Sequence, residues 1–246
     1  MYEKEYGVFD IMGPIMVGPS SSHTGGPVRI GLLAGQLCNY QPKTIHVLMH
    51  GVLACTYTTH KTDAALIAGM LGLKIDDERI SNALSLAKNK GIAITFEKTV
   101  LQNAHPNSVI LKFTDQNGKK FEIRACTIGG GNVILEEING HKVDIDGKGN
   151  HLIAILHSEE EKKFRGDITK LLGENILSSY VLGNNHLIIC KIETILAINN
   201  NLLRKVKDFT IKKEVYAING IMPTKYKNKQ FFSSVKELVE VSQRNN

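Results

Sequence analysis

The spacing of apolar positions changes along the chain, and each change marks a different kind of element. Val28, Ile30, Leu32, Leu33 and Leu37 recur at helical spacing after Gly25-Gly26-Pro27, which predicts a helix over 27–37. Thr44 to His50 alternates and predicts a strand closed by Gly51, with His46 and His50 on the face of Leu48 as partly buried, hydrogen-bonded side chains. Thr56 to Leu73 has a polar head and an apolar body, so that Thr62 can cap a helix with Asp63 in its first turn and His60 in the loop before it. Ile80, Ala83, Leu84 and Ala87 predict one amphipathic helix from Asp76 to Lys90, stopped by Gly91.

Beyond Gly91 the period falls to two. Ile92–Phe96, Ser108–Thr114, Lys119–Ile128, Asn132–Ile138 and Lys142–Ile145 read as strands, with hairpin turns at Asn117-Gly118 and Asn139-Gly140. Gly129-Gly130-Gly131 separates two of them; no helix follows, so a bulge or a close backbone approach fits it better than a phosphate loop. After a linker at Gly147–Asn150 the pattern restarts as strand His151–His157, helix Glu160–Glu174, strands Ser178–Leu182 and His186–Glu193 about Gly183-Asn184, helix Asn200–Phe209 and strand Glu214–Gly220. That order, βαββαβ, is the ferredoxin-like arrangement, and the fold class expected is α+β. A short strand, Val8–Met12, leads the chain in.

Composition narrows the function classes. With 246 residues, 42% of them apolar, and no low-complexity tract, the chain can bury one large core or two modest ones. No run of about 18 apolar residues is present, and Met-Tyr-Glu-Lys-Glu-Tyr lacks the order of a signal peptide, so a cytoplasmic protein without membrane contact is expected. The net charge of +6 raises nucleic acid as a partner, but the lysines are interspersed with acids and cluster only at Lys225, Lys227 and Lys229. No nucleic-acid partner is expected. Cys38, Cys55, Cys126 and Cys190 lie far apart and read as small buried hydrophobes, giving no metal site.

Chemistry concentrates in two places. Gly13 to Thr24 contains two Gly-Pro steps that fix the backbone and then presents Ser20, Ser21, Ser22, His23 and Thr24 at the start of the first helix. Free N–H groups and the helix dipole favour an anion there, such as a substrate carboxylate. A plain serine-rich helix cap explains the same residues. The spacing of Gly13 and Gly18 imitates a phosphate loop, but Pro19 stands where its lysine must be. Ser22 beside His23 makes no nucleophile pair without a carboxylate to orient the histidine. The second place is His60 with Thr62 and Asp63: a surface loop histidine, or a catalytic one, with too few ligands for a metal.

Val8-Phe9-Asp10-Ile11-Met12-Gly13-Pro14 running into Gly18-Pro19-Ser20-Ser21-Ser22-His23-Thr24, followed by Thr56-Tyr57, His60, Thr62 and Asp63, resembles the β subunit of the iron-sulfur-dependent L-serine dehydratases. That family commonly has glycine on either side of the histidine, where this chain has Thr59 and Lys61. The resemblance implies an α,β-elimination that turns L-serine into pyruvate and ammonia. It implies catalytic roles for His60 and His23, substrate binding by Ser20, Ser21, Ser22, Thr24, Thr62 and Asp63, and a [4Fe-4S] cluster ligated by an α portion and not by this chain. Residues 1–148 then resemble a β domain similar to the allosteric substrate-binding fold, 149–222 an ACT domain suited to assembly more than to amino-acid sensing, and 223–246 a basic linker and terminal helix like the start of an α portion. The expected partners are L-serine, the α subunit or fused α domain, and further copies in a homo- or hetero-oligomer, with no lyase activity in this chain alone. The competing reading is a stand-alone amino-acid-binding regulatory module.

Overall fold

The computed structural model describes residues 16–183, 187–212 and 214–221. The expected strand Val8–Met12, the turn residue Asn184, and the basic linker and terminal helix beyond residue 221 lie outside the described residues. A mixed α+β architecture is built on two sheets. The first half of the chain supplies helices α1 (Gly26–Leu37), α2 (Gly51–Thr56), α3 (Thr62–Met70) and α4 (Ala83–Asn89). Its strands are β1 (Pro42–His50), β2 (Ala93–Thr99), β3 (Ser108–Asp115), β4 (Lys120–Gly129), β5 (Asn132–Ile138) and β6 (His141–Ile145). They form one sheet in the order β2-β1-β3-β4-β5-β6, parallel only between β1 and β2.

One face of this sheet is apolar because alternate residues point one way. Ile45, Val47 and Met49 on β1, Leu111 and Phe113 on β3, and Ile123 and Ala125 on β4 are buried beneath the helices. The opposite face carries a polar lattice, a His46–Glu97 hydrogen bond and the ion pairs Lys112–Glu122 and Arg124–Glu136. His50 Nδ1 accepts the Leu101 N–H at 3.2 Å, so His46 and His50 are both partnered, as expected.

Helices α1 and α3 touch backbone to backbone. A Cβ on Gly31 would lie 2.9 Å from Gly69 Cα, and one on Gly69 would lie 2.6 Å from Leu32 N. No residue but glycine fits at either side, and the crossing brings the N-terminal ends of both helices to the same end of the sheet, beside the last residues of β1.

The second sheet contains β7 (Asn150–His157), β8 (Ile176–Gly183), β9 (Leu187–Thr194) and β10 (Val215–Ile218), with α5 (Glu161–Leu172) after β7 and α6 (Asn200–Lys207) after β9. The order is β10-β7-β9-β8 and every pairing is antiparallel. Leu152, Ala154, Leu156, Ile188, Cys190 and Ile192 pack on α5 and α6 through Phe164, Ile168 and Val206. Ile153, Ile155, Ile189, Tyr216 and Ile218 face the other way and join the core of the first sheet. Gln36 exchanges two hydrogen bonds with the Asn219 backbone, at 2.9 and 2.7 Å, and Asn139 donates to the Tyr216 hydroxyl at 2.9 Å. Burial on both sides explains why His151–His157 is a nearly continuous apolar run. Among the described residues no helix is long and apolar enough to cross a membrane.

Two expectations are corrected. The helix expected over 76–90 is a 3₁₀ turn, Glu78–Asn82, followed by α4, because the Asp77 carboxylate accepts the Arg79 N–H at 2.9 Å and starts the helix late and tightly. Cys55 is exposed, whereas Cys38, Cys126 and Cys190 are buried as read.

Replacing Gly31 or Gly69 by Ala should cost about 3 kcal/mol, since the new methyl meets backbone that cannot rotate away. Urea denaturation of each variant checks this; a loss below about 1 kcal/mol would mean that the helices separate freely.

Candidate active site

Ser20 starts the site. It is extended (φ −144°, ψ 125°), and its hydroxyl accepts the His23 N–H at 3.2 Å while its carbonyl accepts the Thr24 N–H at 2.8 Å. Residues Ser21–Gly25 then form a π-helical turn that continues directly into α1, so the expected presentation loop is the wide first turn of the helix itself. The wide turn leaves the Ser21 and Ser22 N–H groups at the helix head, without partners among the described residues. Gly18 enters with φ +116°, and a Cβ there would come within 2.5 Å of Thr24 Cγ2, which is why glycine precedes Pro19.

Side chains close over this turn. Ser22 Oγ lies 2.9 Å from His23 Nδ1 and Ser20 Oγ 3.4 Å from it, so His23 faces its sequence neighbour. No carboxylate completes a triad: among the described residues no group of three or more His, Cys, Asp or Glu gathers closely enough to hold a metal ion, and Asp63 spends Oδ1 on the Ala64 N–H at 2.8 Å.

The second segment is locked onto the first by a reciprocal pair of bonds. The Thr24 hydroxyl donates to the His60 carbonyl at 3.1 Å, and the Thr62 hydroxyl donates to the His23 carbonyl at 2.7 Å. Both threonines are buried. Thr62 therefore does not cap its own helix; Lys61 takes the cap position in the left-handed region at φ 53°. A glycine would adopt that angle freely, and lysine costs roughly 1 kcal/mol there. The His23 and His60 rings stand 5.1 Å apart, tilted by 42°.

Burial, and secondarily the His60 charge, lower the His23 pKa from 6.5. Its Nε2 is buried without a partner among the described residues. The lowered pKa favours the neutral imidazole at neutral pH, with Nδ1 against the Ser22 hydroxyl.

Two residues here escaped the sequence reading. Arg29, one turn into α1, is 5% exposed and donates to the Gly131 carbonyl at 2.6 Å; Thr127, at the end of β4, is buried against Gly26. Gly129, Gly130 and Gly131 all have positive φ, and Gly131 makes the close backbone approach that was expected. A lone arginine in an otherwise apolar helix was the available signal for Arg29.

Cys38, Cys126 and Cys190 are buried, and burial raises the Cys38 and Cys190 thiols to about 11 and the Cys126 thiol to about 12.

An NMR titration of the histidines should place the His23 midpoint below 6.5, and His60→Asn should move it upward by removing the neighbouring charge. Because the unfolded chain binds the proton more tightly, stability should fall as pH drops below about 6.5 and level off once native His23 is protonated. A His23 midpoint at or above 6.5 would contradict this account.

A family model described as serine dehydratase beta chain matches residues 7–90. The probable L-serine dehydratase, beta chain, of Bacillus subtilis (strain 168) is 39% identical over 181 residues, which is 73% of this chain and 78% of that protein. The L-serine dehydratase, beta chain, of Peptoniphilus asaccharolyticus is 37% identical over 169 residues, 68% of this chain and 75% of that protein. The L-serine dehydratase of Helicobacter pylori (strain J99 / ATCC 700824) is 32% identical over 146 residues, half of this chain (50%) and 32% of that longer protein. Such identity over most of a relative's length, with the family match running across the serine turn and both histidines, means that the chain belongs to the serine dehydratase beta chain family.

Proposed function

We propose that this chain is the β portion of an L-serine dehydratase, completing an active site shared with an α portion that carries the [4Fe-4S] cluster. The observation that carries the reading is the pair of imidazoles held 5.1 Å apart at a serine-rich helix N-terminus, within a beta chain family. The free N–H groups of Ser21 and Ser22 and the nearby hydroxyls hold the serine carboxylate and orient the Cα proton. In the elimination that proton leaves Cα, the Cα–Cβ double bond forms, and the Cβ hydroxyl departs as water. The aminoacrylate product tautomerises and hydrolyses to pyruvate and ammonia.

His23 and His60 handle the protons. Two imidazolium rings at this distance repel, so one proton on the pair is favoured over two, and a proton taken by one ring is readily passed on. Thr24 and Thr62 hold the rings through the backbone, and Asp63 fixes the first turn of α3. The cluster, bound by the α portion, would supply Lewis-acid help to the departing hydroxyl.

The chain divides in this proposal into a β domain (1–148) and an ACT domain (149–222), followed by a segment like the start of an α portion. The βαββαβ order and the strand order β10-β7-β9-β8 support a ferredoxin-like ACT module. Glu160 occupies the turn after its first strand, accepting the His157 and Ile211 N–H groups at 2.9 and 2.8 Å, which favours assembly over amino-acid binding there. Leu177 and Tyr180 are exposed on edge strand β8, in keeping with an oligomer.

Reconstitution with an α portion tests the reading. This chain alone should show no serine turnover, and the assembled enzyme should. Ser21→Ala with Ser22→Ala should lower turnover at least about tenfold without unfolding. His60→Asn should cost far more than His46→Asn or His50→Asn; equal effects at all three histidines would make His60 structural.

A further inference from the structure

Arg29 presents an imbalance that the roles above leave unresolved. Arg29 is 5% exposed, and among the described residues its only polar partner is the Gly131 carbonyl and no charged neighbour offsets the burial that lowers its pKa. A buried charge without a counter-charge costs several kcal/mol, so such a group is normally paired. Thr127, fully buried, has a hydroxyl with no partner among the described residues. Both converge on the serine turn. A Cβ on Gly26 would meet Thr127 Cγ2 at 2.6 Å and the Ser21 carbonyl at 3.5 Å; one on Gly131 would meet Arg29 Nη1 at 3.0 Å and that same carbonyl at 3.5 Å.

We propose that Arg29 and Thr127, set under the serine turn in the glycine cradle of Gly26 and Gly131, form a subsite for a carboxylate. The planar guanidinium matches a carboxylate in two parallel hydrogen bonds, and the threonine hydroxyl offers another donor. A single buried positive charge with no second cation beside it among the described residues suits a monoanion better than a phosphate. Gly129, beside this cradle in sequence, is open: a Cβ there would meet nothing within 4 Å. The carboxylate has two possible sources, the amino-acid substrate or an acidic side chain of the α portion. The inference rests on the reading that this chain completes a serine site, and it adds the cation that the serine turn alone lacks.

The test uses the full chain assembled with its α portion, as wild type, Arg29→Gln, Arg29→Lys and Thr127→Val, with propionate as a probe that keeps only the carboxylate. Glutamine retains a donor for Gly131, and circular dichroism checks that each variant folds. If the substrate supplies the carboxylate, Arg29→Gln should raise KM for L-serine at least roughly thirtyfold, more than it lowers kcat, and weaken propionate inhibition in parallel, with partial recovery in Arg29→Lys. If the α portion supplies it, Arg29→Gln should weaken association of the two chains by about tenfold or more, with KM unchanged. Values within twofold of wild type for KM, propionate inhibition and association together would overturn the proposal and leave Arg29 as a support for Gly131. Absence of serine turnover in the wild-type assembly would instead count against the proposed function, while association and propionate-induced thermal stabilisation would still decide the role of Arg29.

Discussion

The site depends on two hydroxyl–carbonyl bonds that cross between segments about forty residues apart. Thr24 holds the carbonyl of His60 and Thr62 holds the carbonyl of His23, so each histidine is fixed by the residue that flanks the other. Neither bond touches an imidazole. The backbone is held, and the His23 ring is met separately by the Ser20 and Ser22 hydroxyls. Because both threonines are buried, losing a hydroxyl leaves a carbonyl without its partner and costs about 1–3 kcal/mol. The Gly31–Gly69 crossing makes the arrangement possible, since helices separated by ordinary side chains would stand too far apart for a threonine to reach across.

The rest of the fold serves as a platform for this contact. The sheet is covered on one face by the crossing helices and presents ion pairs on the other, so its rigidity comes from the helix side, where the histidines sit. The second sheet lends Ile153, Ile155, Tyr216 and Ile218 to the same core, which ties β7–β10 mechanically to the strands below the site. A shallow basin of about 650 Å³ lined by His46, Lys112, Lys120 and Glu122 lies towards the other end of the sheet, near Thr44 and Thr114, away from the serine turn. The histidine pair at the helix heads and this basin are thus separate features of the sheet's two ends.

How much of this the sequence revealed varied with the range of the interaction. Strands β3–β6 were legible because a sheet with one wet face must alternate, and Asn139-Gly140 was a legible turn because both residues take positive φ. The helix expected over 76–90 failed because Ile80, Ala83 and Ala87 are buried equally well by a 3₁₀ turn followed by a short helix, so periodicity alone could not distinguish them. Ser20–Thr24 and His60 were found as separate motifs, yet their meeting was invisible: Thr62 looked like a cap, and no local pattern encodes a hydroxyl reaching a carbonyl on another helix head. Arg29 and Thr127 went unread because their significance lies in lacking partners, which only the packed structure exposes.

The central claim is that the two threonine bonds act as one clamp on the histidine pair. A double-mutant cycle in serine turnover, with Thr24→Val and Thr62→Val in the enzyme assembled with its α portion, tests it most directly. Each single variant should lower kcat by about tenfold or more, and the double variant should be little worse than the more damaged single, because one broken bond already releases both segments. Losses that multiply fully, or single variants that turn over serine at the wild-type rate, would contradict it.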